Sequence, residues 1–192
     1  MRVFIALPIP GSVRDTIIRE SMNIRKEYPP IGWVKGEGMH ITLHFLGELG
    51  GKGVQEIIRL LTTTPFTIPA FTIDFSGALK FPEKGKPRVL FLRITKGIEE
   101  CLAIYDALTL LLKPFVMKTD KHFTPHITLA RIKNSPAWPD VSRFQEIKGS
   151  FTVSAVVLYE SILLKTGAEY RELAKADLKT DTIDNQKTRG AL

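Results

Sequence analysis

Apolar and polar residues alternate in short runs along the first half of the chain, and glycine and proline separate the runs. The apolar run at 2–7 predicts a buried strand. The next pattern predicts a helix over about 13–27, with Ser12 as its N-terminal cap and the prolines at 29–30 as its stop. Residues 39–47 then predict a strand, and 54–61 a helix.

Residues 71–81 predict one or two strands around Gly77, which complete the first half. The second half repeats this order of elements and begins with a strongly apolar strand at 88–94. A helix over about 97–112 comes next, followed by a strand within 124–133. Both halves therefore give strand, helix, strand, helix or turn, and strand, which indicates a duplication rather than a solenoid.

The end of the chain is β-rich and then polar. Residues 136–147 predict a short helix or turn, 151–161 a β-rich run, and 168–178 either a strand or a helix. The polar stretch at 179–192 predicts a flexible tail. Because no linker is long enough to separate the halves, we expect one bilobal domain over 1–178, whose two lobes face each other across a pseudo-two-fold axis.

Composition is that of a soluble globular protein. The 192 residues are 44% apolar and 24% charged. The single cysteine, Cys101, cannot form an internal disulfide, which fits a reducing, cytoplasmic setting. The sequence begins without the pattern of a secretory signal, and no run approaches the roughly 18 apolar residues of a membrane span.

The net charge of +7 favours polyanionic partners such as RNA, DNA or anionic membranes, although a solubilising basic surface explains it equally well. Six cations stand out, and they either follow an RNA backbone or are solvated charge: Lys80, Lys84, Lys86, Arg88, Lys118 and Lys121.

The tetrapeptide His-Ile-Thr-Leu occurs twice, beginning at His40 and at His126, in a chain with only four histidines. Side chains alternate on a strand, so each histidine shares a face with a threonine, Thr42 or Thr128, while the aliphatic residues point to the core. Strict alternation puts His44 on the same face as His40. In two facing lobes, the two imidazoles would flank one cleft.

Two imidazoles on opposite sides of one atom suit in-line displacement at phosphorus. A neutral imidazole takes a proton from water, and a protonated one gives a proton to the leaving oxygen. Threonine hydroxyls can donate to the phosphoryl oxygens. A strained cyclic phosphate is the natural substrate. The sequence has no His-Glu-x-x-His, Asp-rich or Cys-x-x-Cys motif, so we expect neither a metal nor a cofactor. A single His-x-Thr motif usually has a structural role. Two copies at corresponding positions of the two halves favour a catalytic role.

Segments spanning nearly the whole chain resemble the 2H phosphoesterases, most closely the RNA 2′,3′-cyclic phosphodiesterases, also called 2′–5′ RNA ligases. The segments are RVFIALPIP, MHITLHFLGEL, FPEKGKPRVLFLRI, HFTPHITLARIK and VVLYESILLKTGAEYRELAKADL. The resemblance implies a bilobal α+β fold, with two antiparallel sheets around a central groove and helices on the outside. It also favours a strand at 168–178.

The resemblance implies hydrolysis of RNA 2′,3′-cyclic phosphate ends to 2′-phosphates, with reversible 2′–5′ RNA ligation as a related activity. It makes His40 the general acid and His126 the general base, with Thr42 and Thr128 holding the phosphate. The expected partners are RNA with cyclic phosphate ends, including tRNA fragments, or cyclic nucleotides, and the protein is expected to be a monomer. The alternative is a non-catalytic nucleotide- or RNA-binding module that uses the same groove.

The roles of several further residues stay open. Arg131 belongs to the family's motif and is expected to contact phosphate, but strict alternation turns it away from the groove unless a bulge intervenes. His44 either lines the groove or lies on the surface of an edge strand, and His122 is expected in a loop. Phe123 and Trp33 either stack on a base or pack in the core.

Overall fold

The computed structural model describes residues 1–84, 86–116, 123–132, 138–164 and 167–179. Short 3-10 turns form at Gly36–Gly38 and Val141–Phe144. The strands and α-helices in these ranges are β1 (Arg2–Pro8), α1 (Gly11–Glu27), β2 (Gly32–Trp33), β3 (His40–Glu48), α2 (Gly51–Thr63), β4 (Phe71–Phe81), β5 (Val89–Lys96), α3 (Ile98–Leu111), β6 (His126–Arg131), β7 (Lys148–Val153), β8 (Ala155–Leu164) and β9 (Gly167–Asp177).

The strands form two antiparallel sheets, which confirms the predicted α+β class. The first sheet has the order β3-β1-β8-β9 and the second the order β2-β6-β5-β4-β7. Each sheet contains one strand that carries the His-Ile-Thr-Leu motif, β3 in the first sheet and β6 in the second. Counted outward from these motif strands, β1 corresponds to β5, β8 to β4 and β9 to β7. The halves exchange strands, because β4 from the first half lies in the second sheet and β8 from the second half lies in the first. The sheets are therefore two copies of one pattern that neither half can complete alone.

Burial explains why these segments take these forms. Strand β1 lies between two neighbours and is covered on both faces, so its apolar run is buried without alternation. Helix α2 buries Val54, Ile57 and Leu61, which share one helical face. Helix α3 buries Cys101 completely, and this burial raises the pKa of its thiol to about 12. The cysteine is thus a core residue with little thiolate character.

Several predicted boundaries differ from the structure. Ser12 is not the cap of α1, because the helix begins at Gly11 and the carbonyl of Pro10 accepts the first backbone N–H groups. Residues 71–81 form one strand, in which Gly77 bends the chain with a φ of +68°. The run at 151–161 divides between β7 and β8 in different sheets.

Other predictions are confirmed or lie outside the described part of the chain. Residues 168–178 lie almost wholly in strand β9, as the resemblance favoured. The described chain ends at Lys179, so the predicted tail beyond it stays a prediction. Lys118, Lys121 and His122 also fall outside the described residues.

Candidate active site

Each motif strand carries a one-residue bulge at the same place. In β3, Thr42 and His44 pair with consecutive residues of β1, so Leu43 is the extra residue. In β6 the extra residue is Leu129, at the same position of the motif. The two motif strands come from different sheets and lie close to each other where the sheets meet. The duplication therefore extends to the irregularity in the strands.

The bulge reverses the alternation beyond each motif. Residues 43–44 are both buried and Phe45 emerges on the face of His40. In β6, residues 129–130 are both buried and Arg131 is exposed. The bulge that Arg131 required is thus present, and the arginine lines the same cleft as His40 and Phe45.

His44 lies in the core, so both expectations for it were wrong. It is 4% exposed, and its ring stacks on Tyr105 with centroids 4.2 Å apart. Its Nε2 lies 3.0 Å from the carbonyl oxygen of Tyr105 and 3.1 Å from the hydroxyl of Thr109. A carbonyl only accepts, so Nε2 carries the proton. The cause is the bulge at Leu43, which simple alternation does not reveal.

A cleft of about 1110 Å³ lies along the first sheet and reaches the second. His40 and Phe45 line it from the first sheet, and Arg131 lines it from the second. Thr42 is half-buried on the face of its histidine, and so is Thr128. Of the predicted site residues, His40 and Arg131 line the cleft, whereas Thr42, His126 and Thr128 are absent from its lining in the described part of the chain.

His40 sits in an aromatic and largely desolvated environment. Its ring centroid lies 4.8 Å from that of Phe4 and 5.1 Å from that of Tyr170, whose ring is nearly perpendicular to the imidazole. Burial lowers its pKa to about 4, and the positive charges of Arg131 and His126 lower the pKa further, while a hydrogen bond to the Gly38 backbone opposes them. In the free protein, His40 is therefore neutral at pH 7.

His126 is held in a matching way. Its Nδ1 donates to the carbonyl of Thr124, 2.8 Å away and two residues upstream, as Gly38 is two residues before His40. Because Nδ1 carries the proton, Nε2 of the neutral ring has a free lone pair for a base. Phe91 packs edge-on against the imidazole at 5.1 Å. Burial lowers the pKa of His126, the bond to Thr124 raises it, and the charge of Arg131 lowers it.

Arg131 is the electrostatic link between the two sides. Its charge lowers the pKa of both His40 and His126, so both imidazoles lie within its field. A phosphate anion in this place would offset that charge and favour imidazolium. The arrangement can thus hold an anion, whose negative charge would raise the pKa of the imidazoles beside it.

The remaining candidate residues occupy three kinds of place: the wall of the cleft, the packed interior, and the surface away from the cleft. Trp33 lines the cleft, but its indole N–H donates to the carbonyl of Tyr28 at 3.0 Å and its ring lies under Arg25. Phe123 stacks on Tyr105 at 4.4 Å, which favours the packing role. The lining of the cleft, in the described part of the chain, includes none of the basic cluster Lys80, Lys84, Lys86 and Arg88.

The described residues contain no group of three or more His, Cys, Asp or Glu side chains placed to hold a metal ion. Among the helices of the described ranges, none is long and apolar enough to span a membrane.

Sequence comparison identifies related proteins over most of the chain. The model of the 2′-5′ RNA ligase superfamily matches residues 15–162. An Archaeoglobus fulgidus protein named RNA 2′,3′-cyclic phosphodiesterase is 32% identical over 179 residues, which are 90% of this chain and 98% of that protein. A Thermus thermophilus protein of the same name is 31% identical over 194 residues, covering 93% of this chain and 91% of the relative.

Solved structures share the fold. A crystal structure of a Thermus thermophilus protein superposes with a TM-score of 0.78 at 26% identity, covering 94% of this chain and 100% of that one. Escherichia coli LigT complexed with 3′-AMP superposes with a TM-score of 0.74 at 23% identity, covering 92% of this chain and 97% of that one. The bilobal arrangement of two sheets is thus common to these proteins.

Proposed function

We propose that this chain, which belongs to the 2′-5′ RNA ligase superfamily, hydrolyses RNA ends that carry a 2′,3′-cyclic phosphate and leaves a 2′-phosphate. Relatives that align with most of the chain bear the name RNA 2′,3′-cyclic phosphodiesterase. The single observation that carries the proposal is the duplicated motif, which brings two imidazoles from different sheets into the field of Arg131.

The reaction is an in-line displacement. Nε2 of His126 takes a proton from water as the water oxygen bonds to phosphorus. The bond between phosphorus and the 3′-oxygen breaks, and protonated His40 gives its proton to that oxygen. Thr42 and Thr128 donate hydrogen bonds to the non-bridging oxygens, where charge is greatest, and Arg131 balances the anion. The assignment of His40 as the acid rests on the family resemblance.

The low pKa of His40 fits the acid role once substrate is bound. In the free protein, burial and the charge of Arg131 favour the neutral ring. A cyclic phosphate brings one negative charge next to His40 and offsets Arg131, so the pKa of the imidazole rises in the complex. The acid is thus charged mainly when there is a leaving group to protonate.

The substrate is RNA with a 2′,3′-cyclic phosphate end, including tRNA fragments, and small cyclic nucleotides share the same reacting group. The same site would also join such an end to a 5′-hydroxyl through a 2′–5′ linkage. We further propose that residues 1–178 act as one bilobal domain in a cytoplasmic monomer. The exchange of β4 and β8 between the sheets supports the single domain.

The test is incubation of the protein with adenosine 2′,3′-cyclic phosphate in the presence of EDTA, with the product identified by ³¹P NMR. We expect adenosine 2′-phosphate at the same rate with and without EDTA, because two imidazoles supply both proton transfers. Saturable binding without turnover would support the non-catalytic module instead. Activity that EDTA abolishes and a divalent ion restores would indicate a metal-activated water.

A further inference from the structure

The cleft is larger than the cyclic phosphate alone requires. Its volume is about 1110 Å³, above the roughly 300–1,000 Å³ of a typical small-molecule site. From His40 it continues along the first sheet past Phe4, and the tip of the β8–β9 hairpin lines its outer part, where Leu163 is 68% exposed. A nucleoside with one cyclic phosphate leaves much of this length empty, so the cleft has room for a longer strand.

The charge of the cleft is uniformly positive in the part of the chain that the structure describes. The ionised side chains of the lining are three cations, Arg2, Lys35 and Arg131. No aspartate or glutamate of the described ranges belongs to the lining. A cleft that carries one sign of charge concentrates ions of the opposite sign. The lining therefore suits a ligand with several anionic groups rather than one phosphate alone.

Arg2 lies apart from the reacting centre. It precedes Phe4 by two residues on β1, and a strand rises about 3.3 Å per residue. The ring centroid of Phe4 is in turn 4.8 Å from that of His40. Arg2 is not among the charges that shift the pKa of His40 or His126, whereas Arg131 shifts both. Arg2 is thus a second cation of the cleft, further along the first sheet than the reacting phosphate.

The guanidinium of Arg2 is exposed and has no carboxylate partner among the described residues. Two carboxylates lie on the neighbouring strands, at Glu48 of β3 and Glu160 of β8, and each is engaged elsewhere. Glu48 lies 3.6 Å from the N-terminal amine of Met1, and Glu160 accepts from Arg171 at 2.6 Å. The planar fork of N–H donors on Arg2 is therefore available to a phosphate, which such a fork binds with two parallel hydrogen bonds.

The chemistry of the leaving oxygen directs an RNA strand along the first sheet. The oxygen that leaves stays attached to the ribose, so the nucleoside lies on the side of the general acid. The family resemblance assigns the acid to His40, which belongs to the first sheet. A strand that ends in this nucleoside continues through the 5′-oxygen to a phosphodiester. That phosphodiester is the nearest anion that an RNA strand has and a mononucleotide lacks, and Arg2 is a cation on the same sheet.

We propose that Arg2 binds the phosphodiester upstream of the terminal nucleoside, so that the cleft distinguishes an RNA strand from a mononucleotide. The proposal rests on the proposed hydrolysis and deepens it, because it names the part of the cleft that holds the strand. The contact is charge-assisted and reads no base, so it acts alike on every RNA sequence. Arg2 touches the substrate away from the reacting atoms, so its effect belongs to KM rather than to kcat.

The experiment measures kcat and KM for two substrates that share one reacting group. Adenosine 2′,3′-cyclic phosphate has no upstream phosphate, and the adenosine trinucleotide with a 2′,3′-cyclic phosphate end has two. For Arg2→Ala we expect KM for the trinucleotide to rise about 3- to 30-fold, the scale of one charge-assisted contact at an exposed site. KM for the mononucleotide should not change, and kcat should stay near wild type for both substrates.

Two further readouts identify phosphate as the group that Arg2 contacts. A trinucleotide with neutral methylphosphonate linkages has the same bases without the charge, so its KM should be the same for Arg2→Ala and wild type. For the native trinucleotide, the slope of log KM against log salt concentration should be smaller in Arg2→Ala by about 0.7, the value for one phosphate contact on a single strand. Arg2→Lys keeps the charge and loses the fork, so it should restore the salt slope but only part of KM.

Arg93 offers a matched control. It is an exposed arginine on β5 of the second sheet, it forms no ion pair with a described residue, and it is absent from the described lining of the cleft. Because Arg93 pairs with His126 in the sheet, the readout is the ratio of the two KM values rather than either value alone. Arg93→Ala should leave this ratio at its wild-type level. A ratio that changes with Arg93→Ala and not with Arg2→Ala would place the strand on the second sheet and overturn the proposal.

The outcome separates this inference from the proposed function. If the wild-type protein hydrolyses neither substrate, the proposed hydrolysis fails, and the role of Arg2 fails with it. If the protein hydrolyses both and Arg2→Ala leaves KM for the trinucleotide unchanged, only the role of Arg2 fails. The role of Arg2 also fails if Arg2→Ala raises KM equally for the native and the methylphosphonate trinucleotides. Because the side chain is exposed, a thermal melt should show that each Arg2 variant is folded.

Discussion

At the scale of single residues, the two histidines share one device and differ in their neighbours. Each imidazole donates a hydrogen bond to the backbone two residues upstream, His40 at Gly38 and His126 at Thr124. His40 is enclosed by Phe4 and Tyr170, and burial is the main reason that its pKa is about 4. Burial lowers the pKa of both imidazoles in the free protein, so the acid role of His40 depends on the negative charge that a bound phosphate brings.

The lowered pKa of His40 predicts how stability depends on pH. The unfolded imidazole titrates near 6.5, so between pH 6.5 and about 4 the unfolded chain binds a proton that the folded chain does not. The free energy of unfolding therefore falls on acidification through this window, by up to about 3 kcal/mol from this group, and His40 has no such effect above it. Urea unfolding at pH 7 and at pH 4.5 measures this fall in the free energy of unfolding. The fall should be smaller for His40→Gln than for the wild-type protein. An equal loss in both proteins would contradict the assigned pKa.

At the scale of elements, the bulge decides which residues reach the cleft. Alternation in the sequence located both motif strands and put His40 with Thr42, and His126 with Thr128. It could not locate an extra residue, because a bulge depends on pairing with β1 or β5 and leaves no local pattern. The sequence therefore put His44 on the wrong face. The same irregularity is why Arg131 reaches the cleft.

Because of the bulge, His44 of β3 contacts helix α3. It joins β3 to α3 through Tyr105 and Thr109, and Tyr105 stacks on Phe123, three residues before His126. His44→Ala should lower the free energy of unfolding by about 1–3 kcal/mol, because the Tyr105 carbonyl loses one of its donors and the ring stacking on Tyr105 is lost. His44→Gln should lose less. Chemical denaturation measures both, and an unchanged stability for His44→Ala would show that this contact does not bind strand to helix.

At the scale of the whole molecule, the sheets depend on each other. The internal repeat indicated two lobes, but it did not indicate that β4 and β8 cross into each other's sheets. That exchange is set by long-range pairing, which local patterns do not specify. Its consequence is that the motif strands of both halves are fixed relative to one another, and so are His40 and His126.

The last two described residues, 178 and 179, contact distant parts of the chain. Leu178 is buried and its N–H donates to the carbonyl of Ser154, while the carbonyl of Lys179 accepts from Ala70 at 2.8 Å. Truncation after residue 179 should therefore leave the melting temperature and kcat near wild type. Truncation after residue 177 should cost about 2–4 kcal/mol, from one buried leucine and two hydrogen bonds. Calorimetry compares the two, and equal melting temperatures would show that the contacts at 178–179 do not stabilise the fold.

The central claim is that His40 and His126 act as acid and base on one cyclic phosphate, and the most direct measurement is kcat against pH for adenosine 2′,3′-cyclic phosphate. Wild type should give a bell, whose limbs report the coupled pair. His126→Ala should lose the rising limb and His40→Ala the falling limb, each with kcat lower by about 100-fold or more. A folded variant of either histidine with a near-wild-type rate and an unchanged bell would contradict the account.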